Sequence, residues 1–333
     1  MNDDIVEGRQ PPASMIELGP TDPQQVGPYE LIGRLGSGGM GIAYLGQRDG
    51  KWAVLKVLGQ GAPLTDADIT RWERELDAMK AAESARTVHL LDHDFTGRPP
   101  WFAMEFVPGH TLQYTIDNDG PIPSVDLKPF ALGLALALSD IHAAGVVHRD
   151  LKPSNIMLTP AGPRIIDFGV AALEDATMLT KTGHIVGTVG WLAPEQITKD
   201  DYSNATDVHA WGLCVLFAAT GGNPYSSMTS GAALYKILHE RPEVSAEVPP
   251  ELAELVVRSL AKEPGQRPEL AQVIQRLEGD APTAGSLVVS NGFWVEPTLA
   301  PAPKRRGLVV ASLIAIVVGV AAGIALGLSL VGG

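Results

Sequence analysis

Two short stretches of this sequence decide its fold. Residues 148–155 read HRDLKPSN, and residues 167–169 read DFG. Together they supply two aspartates, a lysine and an asparagine at fixed separations. The transfer of a phosphoryl group needs charge neutralisation, in-line positioning and an acceptor for a hydroxyl proton, and these residue types can provide all three. The alternative, in which both aspartates are ordinary turn residues, does not account for the lysine, the asparagine and the second aspartate at these positions.

Each polar residue of these stretches has a predicted role. We expect Asp150 to accept the hydroxyl proton and Lys152, two residues further on, to contact the transferred phosphate. Asn155 and Asp167 offer hard oxygen ligands, which Mg²⁺ prefers. The sequence therefore predicts a catalytic loop with a magnesium site beside it.

A glycine-rich stretch, GSGGMG at residues 36–41, precedes this region. Gly36, Gly38 and Gly41 allow backbone N–H groups to approach phosphate oxygens, because no Cβ stands in the way. A plain hairpin turn is the alternative. A dinucleotide-binding turn is disfavoured because a strand pattern, not a helix, follows the glycines. We predict a loop that joins two strands and folds over a nucleotide.

A lysine within an apolar strand pattern is the next candidate. Lys56 ends the run AVLK at residues 53–56, and Glu75 lies in the helical pattern that follows. We predict that Lys56 reaches nucleotide phosphates and that Glu75 is a candidate for the carboxylate that positions it. The alternatives are a solvated edge lysine and an exposed salt bridge.

The order of the patterns indicates the architecture. Strand patterns come first and helical patterns follow, which suggests a bilobal α+β body. The predicted segments are a flexible, acidic, Pro-containing leader (1–28), a globular domain (29–278), a Pro-rich juxtamembrane linker (279–307) and a transmembrane helix (308–331). Helices are predicted over residues 68–82, with Thr65 as the N-cap, and over 125–143, 206–220, 230–239, 250–262 and 268–278.

The last of these segments explains an unusual average. The mean hydropathy is +0.09 although the net charge is −13. Residues 308–331 read LVVASLIAIVVGVAAGIALGLSLV and carry no charge. As a helix they span about 36 Å, more than the roughly 30 Å of a hydrocarbon core. A buried core helix is the alternative, but only two serines interrupt the apolar surface. The basic residues 304–306 indicate a single-pass cell-membrane protein whose N-terminal bulk is cytoplasmic.

The same segment allows contact with membrane lipid and with a second copy. Gly319, Gly323 and Gly327 follow a four-residue spacing, which lets two membrane helices approach closely. Because glycine is frequent in membrane helices in general, a homodimer and a lone helix in lipid both stay open.

Composition excludes several classes of function. The 25 Lys and Arg residues against 38 Asp and Glu residues disfavour nucleic acid as a partner, because such binding needs basic surface. Cys214 is the single cysteine, so an intramolecular disulfide framework and a cysteine-based zinc site are excluded. Its apolar neighbours favour a buried hydrophobic residue over a nucleophile.

Taken together, these motifs resemble the signature set of eukaryotic-type (Hanks-type) protein kinases, over residues 29–278. The run GTVGWLAPEQ at residues 187–196 looks like that of bacterial Ser/Thr kinases, which are often joined by a linker to one membrane helix. The resemblance implies a bilobal fold with a small β-rich N-lobe and a larger helical C-lobe. It also implies transfer of the γ-phosphate of ATP, with Mg²⁺ or alternatively Mn²⁺, to Ser or Thr hydroxyls of protein substrates.

The resemblance further implies an adenine site. Glu105 and Val107 fall in the hinge that meets the adenine, with Met104 as the gatekeeper residue. Ala43 stands where the family pattern normally has a valine over the adenine. The smaller side chain removes apolar contact, so we expect weaker nucleotide affinity without loss of chemistry.

Three more residues have structural roles by resemblance. Asp207 matches the helix aspartate that braces the catalytic loop, and Arg267 matches the arginine that pairs with Glu195. Trp191 replaces the usual tyrosine near the substrate-facing loop, which leaves the peptide preference open.

Regulation by phosphorylation is also implied. Arg149 matches the family's arginine that anchors a phosphorylated activation loop. That loop contains Thr180 and Thr182, where bacterial relatives carry a T-x-T phosphosite pair, and Thr177. A phosphate there would form charge-assisted bonds with Arg149 and order the loop. The alternative is that these threonines are ordinary polar loop residues.

The sequence also bears on two alternative functions. A pseudokinase scaffold usually lacks the phosphate lysine, the base or a metal ligand, and here all of these are present. A soluble kinase for a small molecule is disfavoured by the apolar C-terminal segment and by the APE sequence at residues 193–195. The sequence therefore favours an active, membrane-tethered protein kinase.

Overall fold

The structure is a computed structural model of the 333-residue chain. It describes residues 15–38, 41–59, 65–167, 189–198, 202–227 and 229–279. The predicted linker and transmembrane segments, with Gly319, Gly323 and Gly327, lie outside these residues, as do Thr177, Thr180 and Thr182. Across the described ranges, no helix is long and apolar enough to cross a bilayer.

The N-terminal lobe is built on one seven-stranded sheet. Its strands are β1 (Ile16–Glu17), β2 (Gln25–Val26), β3 (Tyr29–Gly38), β4 (Gly41–Arg48), β5 (Lys51–Leu58), β6 (Leu90–Asp94) and β7 (Trp101–Glu105). Their order is β1-β3-β4-β5-β7-β6, and β2 also pairs with β3. All of these pairings are antiparallel. Because side chains alternate across a strand, Leu55 and Val57 are buried on one face of the sheet and Lys56 lies on the other.

One helix, α1 (Asp66–Ala81), packs on the sheet. Its N-cap is Thr65, as the sequence predicted, and Thr65 forms a reciprocal capping box with Asp68. Trp72 and Leu76 are buried a turn apart, and the Trp72 ring lies 5.6 Å from that of Phe102 on β7. The buried face of α1 therefore packs against the sheet.

The C-terminal lobe is helical. Its helices are α2 (Leu112–Asp119), α3 (Ser124–Ala143), α4 (Pro194–Thr198), α5 (Asn204–Thr220), α6 (Ser230–His239), α7 (Pro250–Ser259) and α8 (Leu270–Glu278). The apolar helices α3 and α5 form its centre, where the Trp211 indole N–H donates to Ala131 O at 2.9 Å. The predicted helices are all present, with ends that differ by at most three residues.

A small second sheet carries the stretches that the sequence singled out. It comprises β8 (His110–Thr111), β9 (Ile156–Thr159) and β10 (Gly162–Ile165) in the order β10-β9-β8. The HRDLKPSN stretch leads into β9, and Asp167 follows β10. Because β9 and β10 form a hairpin, the two stretches lie side by side.

The predicted flexible leader is wrong for its second half. Residues 15–28 contribute β1 and β2, which both pair with β3. The reason is a buried side chain, Asp22, which accepts hydrogen bonds from Arg34 and Tyr44 of the sheet. The prolines and acidic residues of this segment predict a flexible leader, because a sequence pattern does not reveal a contact with distant residues of the sheet.

Candidate active site

The predicted nucleotide residues of the N-terminal lobe share one cross-strand row. Gly36 pairs with Ala43, Ala43 with Lys56, and Lys56 with Phe102. Residues directly opposite on antiparallel strands lie within side-chain contact. The row therefore places the glycine-rich hairpin and the half-buried Lys56 on the same part of the sheet.

Lys56 is held by charge and by aromatic rings. Its Nζ lies 3.4 Å from both carboxylate oxygens of Asp167, and 4.8 Å and 5.7 Å from the ring centres of Trp72 and Phe102. Burial opposes the charged ammonium, but the charges of Asp167 and Glu75 raise the pKa of Lys56 overall. Lys56 thus joins the N-terminal lobe to the residue that follows β10.

Glu75, the predicted partner of Lys56, is placed differently from the expectation. It is buried, but no ion pair within 4.0 Å connects it to Lys56 in the described structure. Its Oε2 is buried and has no hydrogen-bond partner among the described residues. Burial raises the pKa of Glu75, and the nearby carboxylate of Asp167 raises it further. Glu75 is therefore held in its neutral form near pH 7, and Asp167 is the carboxylate that contacts the ammonium.

The catalytic-loop residues are drawn together. Lys152 Nζ donates to Asp150 Oδ2 at 2.7 Å, and Asn155 Nδ2 donates to the Asp150 backbone O at 2.9 Å. The Asp150 side chain remains partly accessible, with 16% of its surface exposed. The backbone O of Asn155 accepts from Ile166 N at 3.0 Å, which fixes this loop against the residue before Asp167.

Asp207, at the start of α5, braces the loop from within. Its Oδ1 accepts from Arg149 N at 2.8 Å, and its Oδ2 accepts from His148 N at 2.8 Å. His142 Nε2 also lies 2.7 Å from Oδ2. Arg149 adopts a left-handed backbone with φ of 70°, which turns the chain into Asp150. One buried carboxylate therefore fixes the backbone on which the predicted base stands.

Sequence reasoning missed two of the residues that hold this loop. His142 was seen only as part of the α3 pattern, although a polar side chain next to the buried Ile141 is a signal for a buried partner. Gln196 follows the APE sequence and bridges two segments, because its amide donates to Arg149 O at 2.8 Å and accepts from Ala193 N at 2.9 Å.

The pair implied for Glu195 and Arg267 is present and buried. Arg267 donates to both carboxylate oxygens of Glu195, at 2.6 Å and 2.7 Å. Its other N–H groups donate to the carbonyls of Ala261, Ala205 and Lys262. This bidentate pair attaches α4 to the segment before α8.

The hinge residues lie at the end of β7. Met104 and Val107 are buried. The carboxylate of Glu105 is occupied, because it accepts from the guanidinium of Arg164 and from His89 N. Any contact of Glu105 with an adenine therefore falls to its backbone. Arg164 is a third residue that the sequence reasoning missed.

Two of the remaining singled-out residues, Trp191 and Cys214, belong to the core. Trp191 packs edge-on against Phe217, with ring centres 5.4 Å apart, so its side chain is part of the core. Cys214 is fully buried, which raises the pKa of its thiol. The Arg149 guanidinium lies 5.3 Å from the ring centre of Tyr202.

The donor chemistry of Asn155 and Asp167 fits a magnesium ion. The Asn155 amide nitrogen donates to Asp150, and its amide oxygen accepts from Ser154 Oγ at 3.3 Å, which leaves the second lone pair of that oxygen for a ligand. Together with the Asp167 carboxylate it gives a hard oxygen set. Elsewhere, within the described ranges, no cluster of three or more His, Cys, Asp or Glu side chains is arranged to hold a metal.

Comparison with known proteins identifies this arrangement. The profile of the family described as "Protein kinase domain" matches residues 29–277. The probable serine/threonine-protein kinase PkwA of Thermomonospora curvata is 38% identical over 268 residues, which are 80% of this chain and 36% of that protein. The serine/threonine-protein kinase AfsK of Streptomyces coelicolor is 37% identical over 259 residues, 77% of this chain and 32% of that protein. PknL of Mycobacterium tuberculosis, also a serine/threonine-protein kinase, is 32% identical over 268 residues, 76% of this chain and 66% of that protein.

The chain belongs to the protein kinase family. Its sheet-based N-terminal lobe and helical C-terminal lobe are those of the family, and its curated relatives in bacteria are Ser/Thr kinases. The matched segment spans only about a third of the length of the first two relatives.

Proposed function

We propose that this protein is an ATP-dependent Ser/Thr protein kinase that phosphorylates protein hydroxyls. The observation that carries the proposal is the braced loop: Asp207 holds the backbone that leads into Asp150, and Asp150 stands with Lys152 and Asn155 beside the Lys56–Asp167 contact. These residues together provide a proton acceptor, two cations and a set of oxygen ligands at one place in the fold.

The residues divide the work of the transfer. Asp150 accepts the proton of a Ser or Thr hydroxyl while the hydroxyl oxygen bonds to the γ-phosphorus and the bond from that phosphorus to the departing ADP oxygen breaks. Lys152 and Lys56 offset negative charge on the phosphates. The products are a phosphoprotein, ADP and a proton.

Asn155 and Asp167 are the residues that would hold Mg²⁺, with Mn²⁺ as the alternative ion. When bound, the ion would neutralise charge on the phosphates of ATP. Asn155 contributes beyond ligation, because its amide N–H tethers the backbone of Asp150.

Incorporation of labelled phosphate from ATP tests the activity. Wild type should label itself and a generic basic protein, and Asp150→Asn should reduce labelling by about 10²-fold or more, because general-base catalysis is lost. Asp49→Asn is the matched control: Asp49 is 88% exposed on the β4–β5 turn, and labelling should be unchanged.

Equal labelling by wild type and Asp150→Asn would contradict the assignment of Asp150. No labelling by wild type with either Mg²⁺ or Mn²⁺ would favour the alternative of a scaffold without catalysis.

We further propose that the kinase phosphorylates its own activation loop at Thr180 and Thr182, with Thr177 as an additional candidate. Support comes from Arg149, which stands next to Asp150 and offers a cation to a phosphate on that loop. Mass spectrometry of purified wild type should find loop phosphate that Asp150→Asn lacks. Loop phosphate on the variant, expressed without another kinase, would contradict autophosphorylation.

Membrane tethering is the last part of the proposal. The uncharged residues 308–331 and the basic residues 304–306 support a single-pass anchor with a cytoplasmic kinase domain. Wild type should stay with membranes after alkaline carbonate extraction, whereas a chain that ends at residue 303 should not. Self-association through Gly319, Gly323 and Gly327 should weaken in Gly323→Leu in a bilayer assay, and an unchanged signal would count against the dimer.

A further inference from the structure

The segment before the matched kinase domain is part of the N-terminal lobe. We call residues 15–28 the N-terminal strap. Its strand β1 pairs with β3 at Ile16–Arg34 and Glu17–Gly33, and β2 pairs with the start of β3. The family profile begins at residue 29, so the family match does not include the strap.

A charged side chain of the strap, that of Asp22, is buried against the sheet. Asp22 has a side chain that is 1% exposed. Its Oδ1 accepts from Arg34 Nε at 2.8 Å, from Arg34 Nη2 at 2.5 Å and from the Tyr44 hydroxyl at 2.7 Å. Its Oδ2 accepts from Gly19 N at 2.7 Å. A carboxylate with four donors is fixed in position.

The charge state of this group is stable near neutrality. The hydrogen bond from Arg34 is the main reason that the pKa of Asp22 is lowered to about 2, against the effect of burial. Burial, together with the bond to Asp22, raises the pKa of Tyr44 to about 12. Asp22 is therefore an anion and Tyr44 a neutral donor in any ordinary assay.

The two partners of Asp22 form the base of the glycine-rich hairpin. Arg34 on β3 and Tyr44 on β4 are direct cross-strand neighbours. The next pair towards the tip is Gly36 with Ala43, and a bulge lies between the two pairs. Glycines contribute few side-chain contacts of their own, so the direction of the hairpin depends on its base.

We propose that Asp22 is a positioning residue for nucleotide binding, which acts through Arg34 and Tyr44 on the glycine-rich hairpin. This inference rests on the proposed nucleotide-dependent activity. By joining both strands at one oxygen, Asp22 sets how the hairpin stands relative to Lys56, which lies in the same cross-strand row as Ala43.

Binding of a fluorescent ATP analogue to the full-length chain, with steady-state kinetics, tests this role. Asp22→Asn keeps the size of the side chain but removes its charge. We expect about fivefold weaker binding and a similarly raised KM for ATP, because the competent hairpin population falls, with kcat within about twofold. Asp92→Asn is the control: Asp92 pairs with Arg48 at 3.4 Å on the same lobe, away from the hairpin base, and should change neither constant.

Two further variants separate positioning from loss of fold. Tyr44→Phe removes one donor but retains the ion pair, and should weaken binding in the same direction by a smaller factor. Asp22→Asn combined with Arg34→Gln should bind no worse than either single variant, because both act through one contact.

The outcomes are distinguishable. Wild type that binds no nucleotide overturns the proposed function. If wild type binds and Asp22→Asn binds equally well, or loses only thermal stability with an unchanged KM, the positioning role is refuted while the kinase activity stands.

Discussion

Replacing Arg267 by methionine should destabilise the C-terminal lobe more than any exposed substitution of the same type. The guanidinium is 0% exposed and uses all five N–H donors: two bonds to Glu195 and one each to three backbone carbonyls. Methionine preserves much of the stem but supplies no donor. Among the described residues, the buried Glu195 carboxylate would then retain only the hydroxyl of Thr206, at 2.9 Å from Oε1.

The size of the effect follows from this geometry. Breaking a buried ion pair by removing one partner costs about 3–5 kcal/mol, since the other charge is left without compensation. For a domain of this size, each kcal/mol lowers Tm by roughly 2–4 °C. We therefore expect Arg267→Met to lower Tm by about 6–20 °C. Arg276→Met is the matched control, because Arg276 pairs with Glu254 at 3.5 Å with side chains 68% and 63% exposed. Its cost should stay below about 1 kcal/mol.

Urea denaturation and thermal unfolding of the full chain measure both changes. A double-mutant cycle with Glu195→Leu tests the pair itself: the combined loss should be smaller than the sum of the single losses by about 2 kcal/mol or more. Additive losses, or an Arg267→Met shift no larger than that of Arg276→Met, would refute the assignment of the pair as a buried tie between α4 and the segment before α8.

Three other changes have definite expected outcomes. Among the described residues, no atom lies within 4 Å of a Cβ built on Gly36, whereas one on Gly41 would meet Val57 O at 2.2 Å. Gly36→Ala should therefore raise the KM for ATP without lowering Tm, because its added Cβ hinders only the approach of phosphate oxygens to the backbone, and Gly41→Ala should lower Tm as well. Thr65→Ala should destabilise by about 1 kcal/mol in urea, because the capping box of α1 is lost; no loss would contradict the cap. Burial, with neighbouring cations, lowers the pKa of Lys262 from 10.5 to about 8. Between these two pH values the unfolded chain binds more protons than the folded chain. The stability of wild type relative to Lys262→Met should therefore rise with pH across that interval. An equal stability difference at about pH 7.5 and pH 10 would argue against this environment for the amine.

Local patterns predicted much of the fold. The helix at residues 230–239 was predicted with its observed ends, and Thr65 was identified as the cap of α1, because caps and helical periodicity depend on neighbours within a few residues. The strap was not predicted for the opposite reason. Its strands have two residues each, and Asp22 finds its partners 12 and 22 residues away.

In the site, too, contacts between residues close in sequence were predicted and contacts between distant residues were not. Asp150, Lys152 and Asn155 are close in sequence and in space, so their grouping was visible in the motif. The choice of Lys56 between Glu75 and Asp167 was not, because it depends on distances between three separate segments that no spacing rule supplies. His142 and Gln196 escaped for a related reason: each acts by contacting a residue more than 40 positions away.

Part of the acidic excess of this chain is buried in the folded protein. If it lay wholly at the surface, a net charge of −13 would mildly favour basic peptide substrates. In the described part of the chain, however, five carboxyl side chains are buried, those of Asp22, Glu75, Asp126, Glu195 and Asp207, against one buried guanidinium, that of Arg267. The buried residues therefore contain four more acidic groups than basic groups. Three of these acids brace a specific element: Asp22 the glycine-rich hairpin, Asp207 the catalytic loop and Glu195 the segment before α8. The surface excess of acidic groups is correspondingly smaller than the net charge of the chain suggests, so any preference for basic peptides is weaker than the composition alone would indicate.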